Sequence, residues 1–356
     1  MKIAMLTSGG DCQGLNATMR GVAKTLYNEF KDLTIYGILD GYKGLIEGNY
    51  KKLKKEDFSG ILTLGGTILG TSRQPFKKMQ IIEEDGVDKV KSMINTYKKL
   101  ELDCLVILGG NGPHKTANLL SQNGLNVVTL PKTIDNDLWG TDVTFGFHSA
   151  VDVATDVIDR IHTTATSHGR IFVVEVMGHK AGWLTLYSGI AGGADIILIP
   201  EIPYDINKMK EEIEKRTAEN KGFSIIAVAE GAISVEESKM SKKEFKTARE
   251  NMKQSSIAYR VAEEIMKITN HEVRVAVPGH VQRGGAPNPY DRVLCTRFGA
   301  FAAELIKNKQ FGNMVGMKND EVVAVPLSEV AGKLKNVPAN DQLIAAARKI
   351  GISFGD

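Results

Sequence analysis

Short, almost wholly apolar runs alternate along this chain with longer stretches in which apolar and charged residues recur at helical spacing. In the first part Lys2–Thr7, Leu33–Leu39, Cys104–Leu108 and Asn126–Leu130 predict buried strands. In the second, Ile171–Val176, Asp195–Ile199, Ser224–Ala229 and Glu272–Val277 predict the same. Near-continuous apolar character is expected where helices cover both faces of a sheet. Between the runs, Ser149–Thr164 puts Val151, Ala154, Ile158 and Ile161 on one helical face and Asp152, Asp156, Asp159 and Arg160 on the other. Asn207–Lys221 reads as a charged, solvated helix. This alternation predicts a doubly wound α/β fold, whose ligands bind in loops beyond the carboxyl ends of the strands.

The 356 residues leave room for two lobes. A net charge of +3 is too small to argue for nucleic acid, but it permits locally basic pockets for anionic metabolites. The three cysteines, Cys12, Cys104 and Cys295, form no CxxC pair, so neither a disulfide framework nor a zinc site is expected. The opening residues are too short an apolar run for a signal peptide, and no span of ~20 apolar residues follows. A soluble cytoplasmic protein without a membrane partner is therefore expected. The lysine-rich stretches Lys51–Lys55 and Lys242–Lys246 read as solvated surface.

Four loops after predicted strands carry the chemistry. Thr7-Ser8-Gly9-Gly10-Asp11-Cys12-Gln13-Gly14-Leu15-Asn16 lets backbone approach a phosphate at a helix start, yet it is neither a P-loop nor GxGxxG. Asp40, after the second strand, imitates a ribose-binding acid, so a dinucleotide fold stays open on this loop alone. Gly109-Gly110-Asn111-Gly112-Pro113-His114-Lys115 is a second glycine-rich loop on a second strand, which favours a nucleotide. Pro131-Lys132-Thr133-Ile134-Asp135-Asn136-Asp137 gathers two carboxylates, a lysine and a hydroxyl. Phosphoryl transfer needs such a set: a base near an acceptor hydroxyl and cations on the moving charge. The bland alternative is an Asx-rich turn capping the next segment. Last, Pro278-Gly279-His280-Val281-Gln282-Arg283-Gly284-Gly285 offers an Arg fork and a His donor suited to a sugar phosphate.

In this order the loops resemble those of the phosphofructokinase family. The matching text is TSGGDCQGLNATMRG, GGNGP, PKTIDND and GHVQRGG, with Gly169-Arg170-Ile171, Val174–Gly178 and Ala229-Glu230-Gly231 between them. The resemblance spans about residues 1–300. It implies two doubly wound α/β lobes with the active site between them: an ATP-binding lobe of 1–146 plus about 282–333, and a fructose 6-phosphate-binding lobe of 147–281 plus about 334–356. It further implies a 6-phosphofructokinase that takes ATP as donor with Mg2+. Asp135 would be the base, Thr133 would hold the transferring phosphoryl group, and Lys132 would assist them. Asp137 would hold the sugar and the metal's water shell. Gly10, Arg73, Gly110, Asn111 and Gly112 would line the ATP site, with Asn111 at the metal position. Met177, Gly178, His179, Glu230, His280 and Arg283 would hold the sugar phosphate. Arg170 and Arg274 match residues that reach in from a neighbouring subunit, so a homodimer or homotetramer is implied.

Several positions depart from the family pattern. Asn111 and Pro113 stand where GGDGS or GGDGT is usual, and His179 stands where an Arg follows Met-Gly. Lys132 resembles the pyrophosphate-using and mixed-substrate branch, whereas Gly112 leaves room for the ATP α-phosphate where pyrophosphate users carry Asp. Arg20 fits the family's effector site, but Lys24 and His162 replace arginines there. Besides ATP use, the residues leave three readings: a pyrophosphate-dependent enzyme, a catalytically degenerate paralogue that binds nucleotide and sugar phosphate, and, through Asp40, a dehydrogenase.

Overall fold

The computed structural model describes residues 1–356 apart from residues 85, 253 and 255. Among the described residues eleven strands follow in chain order: β1 (Lys2–Ser8), β2 (Thr34–Ile38), β3 (Tyr50–Leu53), β4 (Cys104–Gly109), β5 (Val127–Pro131), β6 (Ile171–Val176), β7 (Ile196–Leu198), β8 (Ser224–Ala229), β9 (Val273–Ala276), β10 (Asn313–Lys318) and β11 (Glu321–Pro326). They form a seven-stranded sheet, β11-β10-β5-β4-β1-β2-β3, and a four-stranded sheet, β7-β8-β6-β9. The chain is thus α/β with two mainly parallel sheets, as its apolar runs predict. By its contacts it divides into two compact units. One comprises Met1–Ile134, Leu138–Ser149 and Arg283–Lys335; the other comprises Asp135–Asp137, Ala150–Gln282 and Asn336–Asp356.

In the first unit β4 and β5 are buried along their whole length, and β1 from its second residue, Ile3, on. One face of this sheet packs Leu6, Leu105, Ile107 and Val127 against Ala117 and Leu120 of the helix Asn111–Gln122. In the second, β6 and β8 supply Val173, Ile226 and Val228 to a core closed by Val261 and Ile265 of the helix Ile257–Ile268. Burying chains of this kind is the main favourable term of folding, about 1.5–3 kcal/mol per large aliphatic side chain.

Three strands lie outside the sequence reading. β3 is an antiparallel edge strand whose Lys51 and Lys52 face solvent, so its pattern reads as surface although it pairs with β2. Lysine on an edge strand also discourages pairing with other chains. β10 and β11 form an antiparallel hairpin turned by Asn319 and Asp320, whose φ angles of 51° and 64° suit a tight primed turn. The other lysine-rich stretch lies in the helix Lys242–Glu250, which buries no residue. Among the described residues no helix is long and apolar enough to cross a membrane.

The helices Leu15–Glu29 and Pro289–Lys307 meet backbone to backbone in the first unit. A Cβ on Gly299 would sit 2.7 Å from Val22 N and 2.8 Å from Gly21 Cα, closer than carbon tolerates. Gly299→Ala must therefore part the two helices. Overpacking costs about 1–3 kcal/mol, which outweighs the ~1 kcal/mol that alanine gains in a helix interior. The expected result is a lower thermal midpoint in calorimetry. A midpoint equal to or above the parent's would contradict this helix contact.

Candidate active site

Strand register assembles the nucleotide-type loops. Ser8 pairs with Gly109 and Gly109 with Pro131, so β1, β4 and β5 end at one level. The chain leaves β1 towards β2 on one side, and β4 lies on the other. The loops after β1 and β4 therefore flank the point where strand order reverses, the place where open α/β sheets bind ligands.

The side chains of the first unit follow from that register. Lys132 is 4% exposed, and its Nζ donates to Gly10 O at 2.5 Å. Arg283 Nη1 donates to Asp11 O at 3.0 Å and lies 3.0 Å from where a Cβ on Gly10 would stand. A Cβ on Gly110 would be 4.0 Å from both Lys132 Nζ and Thr133 Cβ. Gly10, Gly110, Lys132, Thr133 and Arg283 thus share one place, with two cations facing glycine backbone. Thr133 O accepts from Thr144 Oγ1 at 2.7 Å, which fixes the strand exit. A Cβ on Gly112 would meet nothing within 4 Å. Asn111 donates through Nδ2 to Lys333 O at 2.7 Å. Arg73 is exposed; it directly follows Thr71 and Ser72, whose hydrogen bonds with Gly9 O and Gly9 N are 2.7 and 3.1 Å long.

Cys12, within the first loop, is fully buried, and burial pushes its thiol up to about 12. A thiol held protonated is no nucleophile at neutral pH.

In the second unit Val176 pairs with Ala229, so the loops after β6 and β8 also leave at one level. Glu230 Oε1 accepts from Gly178 N at 3.2 Å and from His179 N at 2.7 Å. Gly231 makes this approach possible, since a Cβ there would fall 2.1 Å from His179 O. His179 has φ 52° and its ring is exposed. Met177 N donates to Gln282 Oε1 at 3.1 Å, and Gln282 Nε2 donates to Gly279 O, so a buried Gln282 binds the Met-Gly turn to the glycine before His280. His280 itself is exposed. Arg170 Nε donates to Glu272 Oε2 at 2.7 Å, and Arg274 pairs with the same carboxylate. Asp135 and Asp137 lie on a bend with Asn136 at φ 50°, and the next helix starts only at Phe147. The bend is therefore not a helix cap.

The sequence reading assigned no role to Thr71, Ser72, Gln282 or Glu272. Gln282 stood inside a quoted motif, but nothing in its type marked it as the partner of Met177. The other three owe their importance to residues far away in the chain.

His114 is a further such residue. It is fully buried in the first turn of the helix Asn111–Gln122, and its Nδ1 lies 2.7 Å from Gly110 O. A neutral ring donating there pins the glycine loop to the helix. Burial depresses its pKa from 6.5 to about 4. Below about pH 6.5 the unfolded chain takes up a proton that the folded ring refuses, so stability falls until the folded ring charges near pH 4. A depression of this size is worth about 3 kcal/mol. Urea unfolding should therefore show a loss of this order between pH 6.5 and 4, reduced in His114→Gln. Equal pH slopes for the two proteins would overturn the assignment.

The sequence pattern of the phosphofructokinase family (PFK) matches residues 2–306. The chain is 59% identical over 355 residues to the ATP-dependent 6-phosphofructokinase of Spirochaeta thermophila, covering 99% of this chain and 97% of that one. It is 47% identical over 356 residues to ATP-dependent 6-phosphofructokinase 3 of Bacteroides thetaiotaomicron, covering 100% of both. The structure of phosphofructokinase from Saccharomyces cerevisiae superposes with a TM-score of 0.77 at 31% identity over 92% of this chain, which spans 45% of that longer one. With its glycine loops, its PKTIDND bend and its two parallel sheets, the chain belongs to the phosphofructokinase family.

Proposed function

We propose that this chain is an ATP-dependent 6-phosphofructokinase, transferring the γ-phosphoryl group of ATP to the 1-hydroxyl of fructose 6-phosphate. The observation that carries this reading is its 59% identity, across 99% of its length, to an ATP-dependent 6-phosphofructokinase. Membership of this family leaves no place for a dehydrogenase.

In this proposal the first unit holds ATP. Gly10 and Gly110 let the phosphates lie against backbone, Arg73 borders the nucleotide, and the open space at Gly112 admits the α-phosphate. Lys132, already facing Gly10, meets the charge that develops on the transferring group. Among the described residues no cluster of three or more His, Cys, Asp or Glu side chains could hold a metal ion. In this proposal magnesium enters on the nucleotide's phosphates, as part of the substrate. Asn111 suits this role: its Nδ2 is engaged by Lys333 O, which leaves Oδ1 to accept from a metal-bound water. Magnesium so bound neutralises phosphate charge.

Asp135 takes the proton of the sugar 1-hydroxyl while Thr133 steadies the phosphoryl group, and Asp137 orients the sugar. Glu230 holds the turn Met177-Gly178-His179 as one wall of the sugar site. His280 and Arg283 serve the 6-phosphate. Arg170 and Arg274, clamped by Glu272, serve the site of a neighbouring subunit in a homodimer or homotetramer.

Lys132 keeps a pyrophosphate-dependent reading in view, and Asn111 with His179 keeps a degenerate one. A coupled assay comparing ATP with pyrophosphate, each with fructose 6-phosphate, separates them. ATP should support turnover, and silence with both donors would leave only the degenerate reading. Asp135→Ala should lower kcat by about 10²–10⁴-fold, the usual contribution of a positioned base. A variant keeping more than about half the parent's turnover would remove Asp135 from the mechanism. Gly112→Asp places a carboxylate in the space reserved for the α-phosphate. It should raise the KM for ATP and allow some pyrophosphate use. An unchanged KM would take this loop out of donor binding.

A further inference from the structure

The segment 331–335 forms a strap against the nucleotide-type loop of the first unit. Four attachments hold it. Asn111 Nδ2 donates to Lys333 O at 2.7 Å. Lys333 Nζ stands 5.9 Å from the ring centroid of Trp139, within cation–π range. Leu334 forms an antiparallel bridge with Leu138. Lys335 Nζ donates to Thr141 O at 2.9 Å and to Asp142 O at 2.8 Å. On the loop side, Lys115 Cε lies 3.7 Å from the position of a Cβ on Gly332.

We propose that Asn111 is a positioning residue: its amide ties the loop Gly109–Pro113 to this strap, and the tie sets the loop's affinity for the donor. The proposal rests on reading these loops as the donor site. The chemistry at position 111 is specific. An amide can give a hydrogen to Lys333 O and still offer its own oxygen towards a phosphate-bound metal. A carboxylate has no hydrogen to give and would set two acceptor oxygens against each other. Asparagine at this position is thus what the strap requires. The remaining three attachments involve residues 138–142 rather than the loop, so the amide couples the strap to the donor site without being needed to fold it.

The same geometry supplies a readout besides activity. The chain has two tryptophans, and Trp183→Phe leaves Trp139 as the only indole, 46% exposed beneath the Lys333 ammonium. Asn111→Ala and Asn111→Asp are made in that background. Trp139 emission and the dissociation constant for ATP are measured without fructose 6-phosphate, with and without magnesium. Loss of the tie should shift Trp139 emission in both variants. It should also weaken ATP about fivefold in both, the scale of one hydrogen bond. A side chain that acted through the metal alone, without the tie, would split the variants, with Asn111→Asp tightening magnesium-bound ATP and Asn111→Ala weakening it. That split overturns the proposal, as does Trp139 emission identical to the parent's in both variants. If the parent binds no ATP while both variants shift Trp139 emission, the tie stands and the kinase reading falls.

Discussion

The site depends first on the register of three buried parallel strands. Because Ser8, Gly109 and Pro131 stand side by side, the glycines after β1 and β4 and the lysine after β5 arrive at one place. Register in a parallel sheet buried on both faces is set strongly, since a slip of one residue would exchange the side chains packed on its two faces. The rigidity of the strands is thereby passed to loops that, by composition, would be free to move. Lys132 illustrates the result: a buried ammonium held on Gly10 O, aimed by packing rather than by loop sequence.

The second unit repeats the device with different chemistry. Val176 and Ala229 end together, and a carboxylate rather than a lysine bridges the two exits. Glu230 fixes the backbone of Gly178 and His179 by accepting both N–H groups, while Gly231 lets the chains approach closely enough. His179 is conspicuous in the sequence because the family usually has an Arg there. In the structure its backbone N–H carries the contact and its ring faces solvent. Its backbone role would survive many substitutions.

Asn111 shows how one departure can be read in two ways. From the family pattern it is a lost carboxylate and a weaker metal position. In the folded chain it is a gained donor, since its amide reaches a carbonyl 222 residues away. Pro113 fits the same picture. It supplies no N–H in the first turn of its helix, yet its carbonyl accepts from the buried Tyr42 hydroxyl at 2.7 Å. The loop is therefore held from several sides by residues that no local pattern connects.

Much of the fold was legible in the sequence because helix-covered parallel strands must be apolar on both faces, and such runs stand out: β6 and β8 were read to the residue, and β1, β4 and β5 to within one at each end. The edge strand β3 was hidden because its lysines obey solvent rather than the sheet, and the β10–β11 hairpin because its residues suit either a strand or a loop. Glycine and charge patterns marked the loops, since phosphate chemistry demands close backbone and fixed cations whatever the fold. The sequence by itself thus determined the fold class, the strands and the residue types available for chemistry. Only the tertiary structure decided which of them meet: Arg283 with Asp11, Gln282 with Met177, Glu272 with both arginines, Asn111 with Lys333. The physical reason is that periodicity and turn chemistry act over a few residues, whereas these contacts exist only once a packed core has brought distant segments within hydrogen-bonding distance.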